Sequence, residues 1–347
     1  MWQFFRTHCA FIPTPLAGLA LGIASLGLGL ENTLPLHSVG QGLGAIVASC
    51  LLLCLASKFT LHPHIIWQEL RHPVLGSILP TFSMGLMLVS KALSMLHAGA
   101  GQAMWLFAVA LHLVFMVVFG WHRLRALDLQ QMVPSWFVPF VGIILAAVTF
   151  PAPHYAPLAK ALLYFGMLAY ALLLPVMVYR LMFMREVADA AKPTLAIMAA
   201  PASLSLTGYL MIEPEPSLLL CAVLLGLALL MTCAIYLAFF KLLRLPFSPG
   251  FAAFTFPMAV GASALYRVAL HLEAYPMAAR YVAQLRTLAV AETVVATLIV
   301  GYVCLRYALY YARPGGFLEH TMLRLWAGVC GHGWHLSTAG SGGKKMK

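Results

Sequence analysis

The chain has 347 residues, of which 62% are apolar and 9% are charged, and its formal net charge is +11. Soluble domains carry about 45–50% apolar and about 25% charged residues, and a wetted surface cannot accommodate so much hydrocarbon. The composition therefore excludes a cytosolic enzyme and a disordered chain. Because the bases lie singly between apolar runs, it also excludes a nucleic-acid-binding surface. We predict an all-α integral membrane protein.

Ten apolar runs approach the roughly 20 residues that a membrane-spanning helix needs. In chain order they cover residues 14–30, 39–57, 74–96, 101–120, 134–150, 158–180, 193–212, 217–240, 250–270 and 288–310. The first run could pass for a signal peptide, but Pro13 and Pro15 interrupt its start and nine further spans follow it. We predict a ten-helix transmembrane channel domain over residues 1–315 and a cytoplasmic basic tail over 316–347.

Lysine and arginine are unevenly divided between the two sets of loops. With the N-terminus inside, 16 of the 21 basic residues face the cytoplasm and five face the outside. Cytoplasmic loops are the ones that are enriched in Lys and Arg. We therefore predict a multi-pass protein of the cell's inner (plasma) membrane, embedded in lipid, with both termini in the cytoplasm.

Each odd-numbered span carries proline together with glycine or other small residues. The recurring prolines are Pro15, Pro80, Pro139, Pro201 and Pro257, at intervals of 65, 59, 62 and 56 residues. Each interval is the length of one helical hairpin, which predicts five parallel-repeated hairpins. A proline kink frees a carbonyl group, which in lipid must face protein or water. The odd spans are therefore predicted to surround a central pore, although membrane helices are in general rich in proline.

The odd spans contain no Asp, no Glu and no Arg in mid-span. Carriers that are coupled to protons or sodium usually keep an ionisable group in the membrane, so this pattern favours passive conduction of anions. Hydroxyl groups can replace part of the hydration of an anion without trapping it. The predicted polar lining is Thr81, Ser83, Ser135, Ser203 and Thr255, but each hydroxyl could equally bond to its own helix.

Other polar residues allow two interpretations. Glu292, within the tenth span, is either a proton-relay or substrate-linked group or a packing partner on an outer helix. Two groups of residues are of types that bind metals: His62, His64 and His72, and Cys330, His332 and His335. Neither group has four ligands at the spacing of a structural zinc site. We predict no catalytic residue, no metal, no cofactor and no enzyme activity.

The ninth span reads Phe251-Ala-Ala-Phe254-Thr255-Phe256-Pro257-Met-Ala-Val. This run resembles the W-A-[FY]-[ST]-F-P/G motif of the tellurite-resistance/dicarboxylate transporter family, which includes TehA, fungal malate and sulfite transporters and the slow anion channels of plant guard cells. The opening of the first span, from Phe11 to Gly22, is loosely similar to the first helix of that family. The tryptophan of the motif is Ala252 here, which leaves the permeant ion open.

The resemblance implies a homotrimer in which each protomer has its own pore, and a gate formed by Phe256. An ordinary packing role for Phe256 is the alternative. The interpretation is therefore a passive anion channel, or channel-like exporter, for small inorganic or organic anions. The alternative function is a coupled secondary transporter for a C4-dicarboxylate, sulfite or tellurite.

The predicted orientation can be tested by labelling single cysteines in a background without native cysteines. Because outer loops are open to the medium, Cys at Asn32, Ala152 or Glu215 should react with an impermeant thiol reagent in intact cells. Cys at Gln68, Asp128 or Asp189 should react only after the membrane is permeabilised. Labelling of this second group in intact cells would reverse or break the topology.

Overall fold

The fold consists of helices joined by short turns. The computed structural model describes residues 6–7, 9–126 and 128–312, and none of these residues forms a strand. Nine helical spans in the described residues are long and apolar enough to cross a membrane: Leu16–Thr33, Val39–Leu61, Leu75–Leu96, Ala98–Arg125, Pro153–Phe183, Asp189–Ile212, Leu218–Leu242, Pro249–Leu272 and Pro276–Tyr311. The chain is thus an all-α, multi-pass membrane protein, as the sequence predicts.

Within these spans, α-helices are often preceded by a 3₁₀ stretch. The α-helices are α1 Leu16–Thr33, α2 Val39–Leu61, α3 Pro63–Arg71, α4 Leu75–Ile78, α5 Thr81–Leu96, α6 Ala98–Arg125, α7 Phe137–Val141, α8 Leu145–Thr149, α9 Ala156–Phe183, α10 Ala200–Ile212, α11 Leu218–Leu242, α12 Thr255–Leu272 and α13 Ala279–Tyr311. The 3₁₀ stretches are Leu129–Gln131, Pro134–Trp136, Gly142–Ile144, Pro153–Tyr155, Asp189–Ala199, Pro249–Phe254 and Pro276–Ala278.

The predicted fifth span is shorter and more irregular than the nine others. Pro134–Thr149 alternates 3₁₀ and α-helical stretches, and its 16 residues rise roughly 24–27 Å, less than the hydrocarbon core of about 30 Å. Every residue from 132 to 149 except Phe140 is buried. Irregular backbone is tolerated at membrane depth when protein encloses it. The count of ten spans and the hairpin repeat stay predictions.

Burial separates the odd-numbered predicted spans from the even-numbered ones. We call Leu16–Thr33, Leu75–Leu96, Pro134–Thr149, Asp189–Ile212 and Pro249–Leu272 the inner segments, and α2, α6, α9, α11 and α13 the outer helices. In the most apolar stretch of the four longer inner segments, 56–78% of the residues are buried, against 28–33% in the spans of the outer helices. The exposed faces of the outer helices are apolar and suit contact with lipid.

The inner segments pack side by side as a closed ring. Helix α1 contacts α5, α5 contacts α8, α8 contacts α10, α10 contacts α12, and α12 contacts α1 again. Outer helices pack behind this ring, for example α2 on α1, α6 on α5 and α11 on α10. Each inner segment therefore faces two neighbours of its own kind, and the ring encloses a common axis.

In three hairpins, a basic side chain near the C-terminal end of the outer helix bonds to a backbone carbonyl that lies just before the inner segment. Lys58 Nζ lies 2.9 Å from the Ile12 carbonyl oxygen, Arg123 Nη2 lies 2.6 Å from that of Arg71, and Arg180 Nη2 lies 2.9 Å from that of Gln130. Each carbonyl comes shortly before the proline that opens the inner segment of the same hairpin. Lys58 also pairs with Glu69 at 2.6 Å. The recurrence of this bond in three hairpins supports a repeated unit.

The chain divides into one unit of residues 1–304 and a second of residues 305–347. Of the second unit the structure describes residues 305–312, which belong to the end of α13. The predicted tail of residues 316–347, with the His and Cys residues around Cys330, lies outside the described residues.

Helices α1 and α12 approach closely at Gly22. A Cβ atom at Gly22 would lie 2.1 Å from Thr255 Oγ1, and the Thr255 side chain is itself fully buried and bonded to the Gly18 carbonyl oxygen at 3.2 Å. The threonine therefore has little room to move. The two helices can keep this distance only while residue 22 has no side chain.

We expect Gly22→Ala to destabilise the protein by about 1–3 kcal/mol, as overpacking of a core does. The matched control is Gly42→Ala in α2, where a Cβ atom meets nothing within 4 Å, and where alanine should be neutral or stabilising by up to about 1 kcal/mol. Thermal unfolding in detergent, followed by circular dichroism, compares the two. If both variants unfold at the same temperature, the contact between α1 and α12 at Gly22 has room for a methyl group, and the prediction is wrong.

Candidate functional site

A cavity of about 50 Å³ lies inside the ring of inner segments. All five inner segments line it, and every lining residue belongs to one of them. Pairs of lining residues from the successive segments are Gly18 and Leu21, Thr81 and Met84, Phe137 and Val141, Pro201 and Leu204, and Phe256 and Pro257. The cavity is therefore the place where the five inner segments converge.

The wall of this central cavity is almost entirely apolar. Thr81 is the one lining residue with a polar side chain among the described residues. The volume exceeds the about 10–15 Å³ that one water molecule needs, but an apolar space offers water few partners and tends to stay dry. An apolar constriction of this kind can block ions by excluding water.

The two phenylalanines near the start of α12 have different surroundings. Phe256 is buried but faces the central cavity. Phe254 is fully buried. The centre of its ring lies 5.3 Å from that of Phe239 in α11 and 4.9 Å from that of Phe251. The structure thus separates a ring that borders empty space from one that is surrounded by other rings.

The five predicted prolines stand near helix starts rather than in the middle of regular helices. Pro15 and Pro80 immediately precede α1 and α5, and Pro139, Pro201 and Pro257 lie within the first three residues of α7, α10 and α12. At a first turn the missing N–H group of proline costs nothing. Pro201 and Pro257 line the cavity, and the three others are not among its lining residues.

The five predicted pore hydroxyls are all engaged in hydrogen bonds. Four of them donate to a backbone carbonyl of their own segment: Thr81 to Ile78 at 2.8 Å, Ser83 to Pro80 at 2.8 Å, Ser203 to Ala199 at 3.2 Å and Thr255 to Ala252 at 2.7 Å. Ser135 lies 2.6 Å from Ser77, which donates to Val74, so Ser135 is the donor. Only Thr81 borders the central cavity. In this conformation the hydroxyl protons are not free to bind an anion.

His112, which the sequence reasoning missed, lies directly behind the cavity wall. It is fully buried in α6; its Nε2 is 3.0 Å from the Pro139 carbonyl oxygen and its Nδ1 is 3.0 Å from Ser83 Oγ. A carbonyl only accepts, so Nε2 carries a proton. A Cβ atom at Gly142, a lining residue, would lie 3.4 Å from the ring. An ionisable residue within an apolar span was the available signal.

Two bases lie towards the C-terminal ends of inner segments. Lys91 of α5 donates to the Val148 carbonyl oxygen at 3.0 Å, and it is close enough to Arg267 of α12 to be repelled by its charge. Neither base forms an ion pair with a carboxylate of the described residues. Two neighbouring cations without an acidic partner favour the approach of an anion.

The histidines of the second loop have backbone partners. His62 Nε2 lies 2.7 Å from the Arg6 carbonyl oxygen, and His72 Nδ1 accepts from the Val74 and Leu75 amides at 3.2 Å each. Within residues 6–7, 9–126 and 128–312, no three His, Cys, Asp or Glu residues are grouped so as to hold a metal ion.

Comparisons with known proteins agree with this architecture. A family model described as voltage-dependent anion channel (SLAC1) matches residues 13–308. An uncharacterised transporter of Methanocaldococcus jannaschii is 26% identical over 228 residues, which are 58% of this chain and 67% of the relative. A second uncharacterised transporter of that organism is 27% identical over 215 residues, 55% of this chain and 62% of the relative. The family match confirms the predicted resemblance.

Proposed function

The chain belongs to the voltage-dependent anion channel family (SLAC1), and on this premise we propose that it is a passive channel, or channel-like exporter, for small anions. The path runs through the central cavity along the axis of the inner ring. One observation carries the proposal: all five inner segments, and no outer helix, contribute to the wall of that cavity. A path between parallel helix starts lets ions pass with few strong contacts, as conduction requires.

The proposed gate is Phe256. Its ring borders the central cavity, where Thr81 is the one polar side chain contributed by the part of the chain that the structure describes. The apolar wall and the ring together exclude water, which closes the path to a hydrated ion. Pro257 follows directly, in the first turn of α12, and has no N–H group to donate.

The proposed anion preference comes from charge near the path rather than from ligands within it. Four of the predicted pore hydroxyls, those of Thr81, Ser83, Ser203 and Thr255, donate to backbone carbonyls. By contrast, the charge of Arg267 acts on Lys91, and neither base has a carboxylate partner among the described residues. Two positive charges near a low-dielectric path raise the local concentration of anions and repel cations.

The second candidate function is a coupled secondary transporter for a C4-dicarboxylate, sulfite or tellurite. The buried carboxyl group of Glu292 favours it, since carriers commonly keep an ionisable group in the membrane. In both cases we place the protein in the plasma membrane with cytoplasmic termini, as the distribution of Lys and Arg predicts. The homotrimer, with one path in each protomer, is part of the same proposal.

The test is current through purified protein in a planar bilayer, with chloride, nitrate, sulfite and malate offered in turn. Discrete single-channel steps support the channel. Slow, saturable flux that requires a proton gradient supports the carrier. The absence of anion flux under both conditions contradicts both functions.

In the same bilayer we expect Phe256→Ala to increase the anion conductance at least about tenfold while the protein folds normally, because the ring that seals the apolar cavity is gone. Phe254→Ala is the matched control. Its ring is surrounded by protein, so truncation should cost about 3–5 kcal/mol of stability and open no leak. The gate is wrongly assigned if Phe256→Ala conducts like the parent, or if Phe254→Ala opens the path.

Neutralising the two bases should weaken selectivity without unfolding the protein. A unit charge near a path of low dielectric constant raises the local concentration of anions, and removing it lowers that concentration. We therefore expect Lys91→Gln or Arg267→Gln to lower the anion current at least about fivefold and to lower the chloride-to-sodium permeability ratio. Lys160→Gln is the control, because Lys160 lies on outer helix α9 and is half exposed. Unchanged reversal potentials in both inner variants would contradict this role.

A further inference from the structure

Glu292 is a buried acidic residue within the last outer helix. The residue is 7% exposed, and its Oε2 accepts a hydrogen bond from the Tyr236 hydroxyl of α11. Within the described part of the chain no Lys, Arg or His forms an ion pair with it. A carboxylate at membrane depth without a cation is costly, and such groups commonly mark proton pathways.

A second, smaller cavity lies against this carboxyl group. Its volume is about 10 Å³, close to the space of one water molecule, and Ser203 and Thr232 line it together with Glu292. Three polar side chains from three helices therefore share one small space. A carboxyl group beside such a space can exchange a proton with water.

The small cavity and the central cavity share the same two walls. On α10, Ser203 lines the small cavity, while Pro201 and Leu204 line the central one. On α12, Gly261 lines the small cavity one helical turn after Pro257, which lines the central one. About one helix diameter, roughly 10 Å, thus separates Glu292 from the proposed path.

We propose that Glu292 is a proton-binding site and that its protonation increases anion flux. This inference rests on the proposed function. A proton from bulk water adds to the carboxylate and gives the neutral acid, so one negative charge is removed next to the path. At roughly 10 Å and an effective dielectric constant of about 20, that charge changes the occupancy of the path by an anion about ten- to twentyfold.

Few other titratable groups face Glu292. On α11 the facing group is Tyr236, its bonding partner, and Cys233, one turn earlier, acts electrostatically on that tyrosine. The residues of α10 and α12 that line the small cavity are not titratable. Arg267 of α12 lies two residues after Leu265, the last α12 residue that lines the small cavity. Its charge acts on Lys91. A pH response that is lost with Glu292 can therefore be assigned to this group.

The test measures chloride flux from liposomes that contain the purified protein, between about pH 4 and about pH 9. The wild type should conduct at least about tenfold more at the acid end. Glu292→Gln, a neutral isostere, should conduct at the acid level of the wild type at every pH. Tyr236→Phe keeps the carboxyl group but removes its donor, and it should retain the response with a displaced midpoint. A wild-type pH response in Glu292→Gln, or no response in the wild type, overturns the proposal.

The matched control is Glu213→Gln. Glu213 also bonds to a tyrosine, Tyr164, at 2.6 Å, but it follows α10 and pairs with Lys160. Hydrogen bonds from Lys160 and Tyr164 lower the pKa of Glu213, so it stays charged at neutral pH. This variant should keep the wild-type response, and a flat response in it would overturn the assignment to Glu292.

A measurement without transport separates this proposal from the proposed function. Infrared difference spectra of the purified protein, taken across the same pH range, should show a carboxylic acid band that Glu292→Gln lacks. If liposomes carry no anion at any pH but the band is present, the proposed function fails and the proton site stands. If no such band titrates, the proton site is wrong whatever the flux.

Discussion

Inside a bilayer, every backbone N–H and C=O group must find a partner within the protein, and the rest of this structure depends on that requirement. Four of the five inner segments contain proline and three contain 3₁₀ stretches, both of which form fewer or poorer backbone bonds than a regular α-helix. They are tolerated because longer, more apolar and more regular outer helices cover them. The shortest and most irregular segment, Pro134–Thr149, is also enclosed almost completely.

The division into inner segments and outer helices could largely be predicted from the sequence. The length of the apolar runs predicts the spans, and the recurring prolines predict which of them lie inside. The prediction was less accurate where side-chain direction matters. Nothing in the run from Phe254 to Pro257 shows which ring faces a cavity, since that depends on the rotation of α12 against its neighbours. The sequence predicts one helical span over residues 134–150, whereas the structure alternates 3₁₀ and α-helical stretches over Pro134–Thr149, because Pro139 cannot donate a backbone hydrogen bond in its middle. His112 could not be predicted as a neighbour of the cavity, because nothing in the sequence around this single histidine shows that its helix places it against Ser83 and Pro139.

The inner ring presents few polar groups that could bind a ligand in the central cavity. The hydroxyls of Ser83 and Thr255 bond to carbonyls of their own segments instead of solvating an ion, and they reinforce helix starts next to a proline. The charged groups stand beside the ring or at its ends: Lys91 and Arg267 towards one end, and Glu292 behind the wall. Such a layout acts on a passing ion through the electric field, which discriminates by sign of charge more than by shape.

The Gly22–Thr255 contact joins the first inner segment to the last, which has a consequence for biosynthesis. At about 5–20 residues per second, the ribosome needs roughly 10–50 s between these two positions. During this interval the glycine-rich face of α1 has no α12 against which to pack. The nascent bundle must therefore wait in the membrane as an open arc, with polar backbone at its unfinished edge. The partly made chain depends on lipid, on the insertion machinery or on temporary contacts with its own outer helices until the ring closes.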